Sequence, residues 1–592
     1  MVNNFSVVVA STNGTGSQTA NLILLRALFS MGIPVSSKNI FPSNIQGLPT
    51  WYYIRLSSQG FEARRGIAEV LVAFNKKTFA DDLAALPPGG VCLRPEEWSD
   101  APKREDVTTY TIPVDDLLRD AGARGRNRDY LANMVYVGAL SQLLGIDIET
   151  IEQALGHHFM GRQGMFDKNS AMVRDAFEWM ANNIKKDDPY VASPLGLTSN
   201  KMLITGNEAA ALGAIFGGVS LVSWYPITPS TSLIDALSDL LPKLRTDPET
   251  GKATYAVIQA EDELSAIGMV IGAGWAGARA MTATSGPGIS LMTEFASLGY
   301  FAEIPAVIWD VQRLGPSTGL PTRTAQGDVM STYFLGHGDS MNILLFPATV
   351  AECYEFGYKA FDLAEQLQTP VFVMSDLDLG MNTWMSDPFE YPELPMSRGK
   401  VLTEEEIEEA GFSRFLDSDG DGIPYRTLPG NKHPLAAYLG RGTGHNRHGL
   451  YSEKPADWEE NMERLSRKFE TVRRTVPIPK IDEPSQARVG LIAYGSTLPA
   501  VEEARILLSG RSVSTGYMRI RALPFGESVR GFLERYDRLY VIELNRDGQM
   551  HKLLLMEYPD LAERIISIAH IDGLPATADW IVTQIQEEGL PA

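Results

Sequence analysis

Three acids in a row, Glu261-Asp262-Glu263, follow the apolar run TYAVIQA. At the C-terminal end of a strand such close carboxylates repel, and a partly buried one has its pKa raised. One buried glutamate there could hydrogen-bond an electron-poor ring nitrogen and shift a proton on it. The residues alone do not choose among the three, and Glu263 could instead support a helix N-terminus. Earlier in the chain stands Trp224-Tyr225-Pro226-Ile227-Thr228-Pro229-Ser230-Thr231-Ser232. Ser230 or Thr231 can cap the helix that LIDALSDLL predicts. Thr228, held between two prolines in a stiff loop, suits presentation of one hydroxyl to a small ligand. Further on, Thr282-Ala283-Thr284-Ser285-Gly286-Pro287-Gly288 ends an apolar run and precedes a helical pattern, so Ser285 and Gly286 suit close backbone approach or anion contact. Arg313 follows IPAVIWDVQ and Arg323 lies in the next polar loop. Guanidinium groups are natural bidentate partners for a carboxylate substrate, although each arginine could equally pair with local acids.

A second candidate lies near the start. Gly14, Thr15, Gly16 and Ser17 follow the run FSVVVA and open a helical pattern. Glycines permit a tight turn, and free N–H groups at the helix start would face a phosphate or a phosphate-bearing cofactor; a purely structural turn fits too. A dinucleotide fingerprint wants a third glycine at position 19 and an acid some way beyond, whereas the chain has Thr19 and Val35-Ser36-Ser37-Lys38. NAD is therefore excluded, and no Walker lysine is present. Ser43 to Gly47, Arg64 and Arg65 could line the same crevice, or the arginines could sit on a solvated face. His157 and His158 are adjacent and do not form a metal pair on a helix.

These residues need elements to hold them. Apolar runs joined by small-residue turns and helical patterns recur in three regions, the signature of parallel α/β layers. The expected division is 1–190, a linker at 191–199, 200–480 with a long polar excursion from about Trp384 to Ala487, and 487–592. Within the excursion EKPADWEENMERLSRKFETV predicts an exposed helix. Asp417, Asp419, Asp421 and Gly422 match the start of a calcium loop, but its twelfth position is Leu428, so a tight acid-rich turn fits better.

The composition narrows the function. With 592 residues and 44% hydrophobic content the chain can form several cores. Its 52 Lys plus Arg against 73 Asp plus Glu give a net charge of −21, which disfavours nonspecific nucleic-acid or anionic-membrane binding. The N-terminus lacks a basic signal region and no eighteen-residue apolar stretch occurs, so a cytoplasmic location is expected. Cys92 and Cys353 are too few for an iron–sulfur cluster, which usually takes four thiolates.

WYPITPSTS, QAEDELSAIGMVIGA, TATSGPG and DVQRLGPSTGLPT, with DGDGIPYRTLPG and RGTGHNRHG, resemble the alpha subunit of the 2-oxoacid:ferredoxin oxidoreductase family, most of all its 2-oxoglutarate synthase type. A gamma-like α/β domain is fused ahead of it. The resemblance implies an α/β fold of three domains, including a pyrimidine-binding-type parallel-sheet domain of the thiamine enzymes and a transketolase C-terminal-like domain. It implies that Glu261 is catalytic, meeting N1′ of the thiamine pyrimidine across a subunit interface, and that Thr228 and Arg313 bind the oxo-carboxylate end of the substrate. Gly14, Thr15, Gly16, Ser17, Ser285 and Gly286 are the implied cofactor-binding residues, with the first domain a candidate for coenzyme A contacts. The implied partners are ferredoxin and a beta subunit that holds thiamine diphosphate with Mg²⁺ and a [4Fe–4S] cluster, in an (αβ)2 assembly. The implied reaction turns 2-oxoglutarate and coenzyme A into succinyl-CoA and CO2, or runs in the carboxylating direction as in a reductive TCA cycle. A thiamine-dependent decarboxylase or transferase component without electron transfer, and a non-catalytic coenzyme-A-binding subunit, are the competing classes.

Overall fold

FSVVVA is apolar at successive positions because its strand is covered on both faces. β1 (Asn4–Thr12) lies inside a six-stranded sheet. Val7 and Val9 join one core with Ile23, Leu24 and Tyr136, whereas Val8 and Ala10 pack with Leu71, Phe79 and Cys92 on the other side. β2 (Val35–Ile40) and β3 (Pro49–Ser57) pair antiparallel, and β3 is antiparallel to β1. β4 (Val70–Ala73), β5 (Val91–Pro95) and β6 (Thr108–Ile112) extend the other side in parallel, giving the order β2-β3-β1-β4-β5-β6.

The computed structural model describes residues 1–43, 47–393 and 395–589, so three residues of the Ser43–Gly47 segment lie outside it. The chain forms two compact units. One holds Met1–Ile204 with Asn382–Pro388 and Thr577–Trp580; the other holds Thr205–Met381, Phe389–Ala576 and Ile581–Ala592. Residues 184–201 are hydrogen-bonded along the first unit, with Asn3 N donating to Val191 O (3.1 Å) and Leu197 N to Gly32 O (2.8 Å). β7 (Met202–Thr205) and β14 (Thr383–Ser386) make a two-stranded ribbon.

Two sheets build the second unit. β8 (Leu221–Trp224), β9 (Ala256–Gln259), β10 (Ala280–Thr284), β11 (Ala306–Gln312), β12 (Ile343–Leu345) and β13 (Pro370–Asp376) are parallel, and β18 (Ala522–Leu523) closes the edge antiparallel to β12. The order is β18-β12-β13-β11-β10-β8-β9, so the winding reverses between β8 and β10. Open parallel sheets place ligands outside the carboxyl ends of strands at such a reversal. The other sheet is β15 (Lys480–Asp482), β17 (Thr515–Arg519), β16 (Val489–Ala493), β19 (Arg538–Glu543) and β20 (Ile565–Ala569), parallel except for β15. The multi-domain α/β class holds, with a mainly parallel sheet in each part of the second unit.

The excursion differs from its sequence reading. Its helix Pro455–Thr475 is not simply exposed: Asn461, Arg464, Leu465, Lys468, Phe469 and Val472 are buried. Arg464 Nη2 and Lys468 Nζ pair with the buried Glu303 at 2.6 and 3.0 Å, so charges that look like a solvated face point inward. The acid-rich turn carries its own cation, Lys400 Nζ, at 2.6 Å from Asp419 and 2.8 Å from Asp421. No helix among the described residues is long and apolar enough to cross a membrane.

Candidate active site

The loop after β8 is shaped by its hydroxyls. Ser230 Oγ and Thr231 Oγ1 donate to Ile227 O at 3.0 and 3.2 Å, folding the turn back on itself before the helix Thr231–Leu244. Ser230, the N-cap residue, makes no side-chain cap. Asn207 Nδ2 donates to Pro229 O (3.0 Å) and fixes the far side. Thr228 stays half-buried, and its carbonyl accepts from Arg313 Nη1 at 2.7 Å. Two residues 85 positions apart are thus tied together at the carboxyl ends of β8 and β11. Arg313 is 8% exposed and its Nε has no partner. Burial pulls its pKa down, opposed by the charges of Asp328 and Glu263.

The acids separate by position. Glu261 is exposed just past the edge strand β9. Asp262 caps the helix Glu263–Trp275, accepting from Ser265 N at 2.6 Å, and this hydrogen bond lowers its pKa. Glu263 then turns inward and is 7% exposed. The buried acid of the triplet is therefore Glu263.

The SGPG turn makes room for carboxyl groups. A Cβ on Gly288 would collide with Thr284 Oγ1 and come within 2.7 Å of Glu263 Cγ. A Cβ on Gly286 would stand 2.7 Å from both carboxyl oxygens of Asp328. Each glycine is the floor on which one acid rests. Ser285 precedes them, fully buried with Oγ unpartnered.

A cavity of about 510 Å³ opens beside this turn, lined by Gly286, Ser290, Arg313 and Asp328 and, from the loop after β19, Asn545 and Asp547. Asp328 faces Asp310, an acid buried within β11 whose two carboxyl oxygens find no donor among the described residues. Burial and mutual repulsion push the Asp310 carboxyl far above the usual range, and burial raises Asp328 as well. The sequence analysis missed both. Asp310 had a visible signal, a lone acid in the apolar run IPAVIWDV. Arg323 does not line this cavity; its Nη1 donates to Thr322 O at 2.9 Å.

In the first unit Gly14 and Gly16 take positive φ (85° and 84°), and a side chain at Gly16 would strike the Tyr130 ring. Asn133 Nδ2 donates to Thr15 O (2.7 Å), and Ser17 opens the helix Ser17–Ser30. Tyr130 also lines a cavity of about 530 Å³ with Asn127, Arg162 and Lys168, which offers a cationic wall next to the turn. Arg65 is instead occupied by Glu69 at 2.7 Å. Among the described residues no cluster of three or more His, Cys, Asp or Glu side chains could hold a metal ion. The second-unit site offers an acid and the exposed apolar Ile258, Leu264 and Met269, groups that suit the ring side of a thiamine cofactor.

Comparison with known proteins agrees with this geometry. Residues 212–412 match the family described as pyruvate flavodoxin/ferredoxin oxidoreductase, thiamine diphosphate-binding, and residues 6–179 match pyruvate ferredoxin/flavodoxin oxidoreductase. The chain is 36% identical to the 2-oxoglutarate synthase subunit KorA of Methanothermobacter thermautotrophicus, over 60% of this chain and 89% of that protein. It is 28% identical to subunit alpha of 2-oxoacid:ferredoxin oxidoreductase 2 from Aeropyrum pernix, over 93% and 92% of the two chains. Among solved structures, the 2-oxoglutarate:ferredoxin oxidoreductase of Magnetococcus marinus, with 2-oxoglutarate, coenzyme A and succinyl-CoA bound, superposes with a TM-score of 0.87 at 28% identity over 99% of both chains. The chain belongs to the 2-oxoacid:ferredoxin oxidoreductase family, as an alpha-type subunit of a thiamine-dependent enzyme that works with a partner subunit.

Proposed function

We propose that this chain is the alpha subunit of a 2-oxoglutarate:ferredoxin oxidoreductase that, with its beta partner, converts 2-oxoglutarate and coenzyme A into succinyl-CoA and CO2. Two electrons pass singly to ferredoxin and one proton is released; the carboxylating direction uses the same groups. The observation that carries this reading is the cavity lined by Arg313 and by Gly286 and Pro287 of the SGPG turn, with Arg313 tied to the Thr228 carbonyl at the carboxyl ends of β8 and β11. The three-part division 1–190, 200–480 and 487–592 and the cytoplasmic (αβ)2 assembly belong to the same proposal.

When bound, thiamine diphosphate supplies the nucleophilic carbon and the electron sink for decarboxylation. Its Mg²⁺–diphosphate end and the [4Fe–4S] cluster are assigned to the beta subunit, since two buried cysteines cannot hold a cluster. This chain's own work is positioning. Arg313, already tethered to the Thr228 carbonyl, presents its remaining N–H groups to the substrate carboxylate beside the Thr228 hydroxyl. A carboxylate from the 261–263 segment holds a proton at the pyrimidine N1′. The family resemblance points to Glu261 for this task, and its exposed place just past β9 leaves it open to a ring held by the partner subunit; Glu263 is buried. Ser285 and Gly286 approach the cofactor through the turn. The Gly14–Ser17 turn and the adjacent Arg162 and Lys168 receive coenzyme A.

The test is to co-purify the native complex and follow coenzyme-A-dependent reduction of a low-potential acceptor over a panel of 2-oxoacids. Highest kcat/KM with 2-oxoglutarate supports the proposal. Preference for pyruvate overturns the substrate, and silence with every oxoacid overturns the function.

A further inference from the structure

We propose that Asp310 and Asp328 share one proton and act as a positioning pair that sets how much of the Arg313 charge is free to hold the substrate carboxylate. The inference rests on the reading of Arg313 as the oxoacid anchor. Both oxygens of Asp310 and Oδ2 of Asp328 are buried, and among the described residues no other donor reaches them. The two carboxyl groups face each other, and a proton shared between them would give these orphaned oxygens their missing donor. Gly286 gives Asp328 its room, and Gln312 Oε1 accepts from Asp328 N at 3.1 Å, which fixes the main chain of Asp328 beside the end of β11.

The order of protonation follows from surroundings. Asp310 lies inside β11 with no cation beside it and keeps the proton; Asp328 faces the cavity and Arg313 and takes the negative charge. The other charges here are Glu263, which faces Arg313, and Arg546 and Asp547 of the loop after β19, which pair with each other at 2.6 Å. With Asp328 ionised, Arg313 is partly neutralised. When Asp328 gains a proton, more of the guanidinium charge is left for an anionic ligand.

The experiment uses the purified complex and reads KM for 2-oxoglutarate, with KM for coenzyme A as the internal reference, from the ordinary carboxylate range up to neutrality. In the unaltered enzyme KM for the oxoacid should fall about tenfold as pH drops, the effect of one freed charge. Asp328→Asn should remove that step and keep KM low throughout. Asp310→Asn, which retains an N–H donor, should preserve the step, whereas Asp310→Leu should move it to higher pH. An unchanged step in Asp328→Asn, or identical profiles for Asp310→Asn and Asp310→Leu, would overturn the pair. Infrared difference spectra supply a readout independent of turnover: a protonated-carboxyl band at neutral pH must vanish in Asp310→Asn, and its absence from the unaltered complex also sinks the inference. Failure of the underlying reading looks different, because Arg313→Lys would then leave both KM values equally changed.

Discussion

At the scale of single residues, the site depends on how few donors Arg313 has left. One guanidinium nitrogen is committed to the Thr228 carbonyl, so only the rest of the fork can meet a carboxylate. A lysine could keep the tether or the substrate, not both. Arg313→Lys should therefore cost oxoacid binding on the order of 2–3 kcal/mol while coenzyme A binding stays near its original value; steady-state KM for each substrate measures the split. The acids give a second prediction. Glu261→Gln should abolish turnover with the complex still assembled, and Glu263→Gln should retain more of it; the opposite ranking would move the role to Glu263. The sequence located this triplet but could not rank it, because the ranking comes from capping. Once Asp262 accepts from Ser265 N, Glu263 is the first helical residue and faces the sheet. Asp328 was invisible for a related reason: nothing in TAQGD says that Gly286, far off in sequence, leaves a hollow for it.

At the scale of elements, the strand–SGPG–helix unit was legible as a turn needing glycine, but the reason differs from anion contact alone. Its glycines clear space for Glu263 and Asp328. Gly288→Ala should then destabilise the second unit by roughly 1–3 kcal/mol, the usual cost of forcing an extra carbon into packed side chains. Gly272, in the neighbouring helix Glu263–Trp275, has nothing within 4 Å of an added Cβ. Gly272→Ala should instead stabilise by about 0.5–1 kcal/mol. Thermal denaturation of the two variants checks the contrast, and equal losses would mean the turn is not the constraint described. The helix Pro455–Thr475 shows the limit of pattern reading in the other direction. Its Arg and Lys residues look solvent-facing by composition, yet Glu303 lies under them, pulled down to about 2 by Arg464 and Lys468 against its burial. A pairing with a residue so distant leaves no local trace.

At the scale of the molecule, local pattern reveals α/β layering but not sheet order, since registers join distant segments. Leu344 pairs with Leu523 across β12 and β18, so residues of the C-terminal region complete the sheet that carries the candidate site. The same linkage recurs in side chains, where Glu352 meets Arg519 Nη1 and Nη2 at 2.5 and 2.7 Å and Arg521 Nε at 3.0 Å. Burial alone would raise this carboxyl, but the two arginines and the N–H of Ala348 outweigh it and hold it at about 2. A carboxylate with a depressed folded pKa contributes stability that is complete above its unfolded value and is lost as pH falls toward the folded one. Here the window runs from about 4.5 to about 2, and the depression corresponds to about 3 kcal/mol. Glu352→Gln would strand the buried Arg519 guanidinium, while Arg521 keeps Glu355 at 3.1 Å, and should cost about 3–5 kcal/mol at neutral pH. Chemical denaturation at pH 7 should therefore show a large loss, shrinking as pH is lowered through the window because the unaltered protein loses the same contribution. A loss that stays constant down to pH 2 would mean that Glu352 acts through shape and not through its charge.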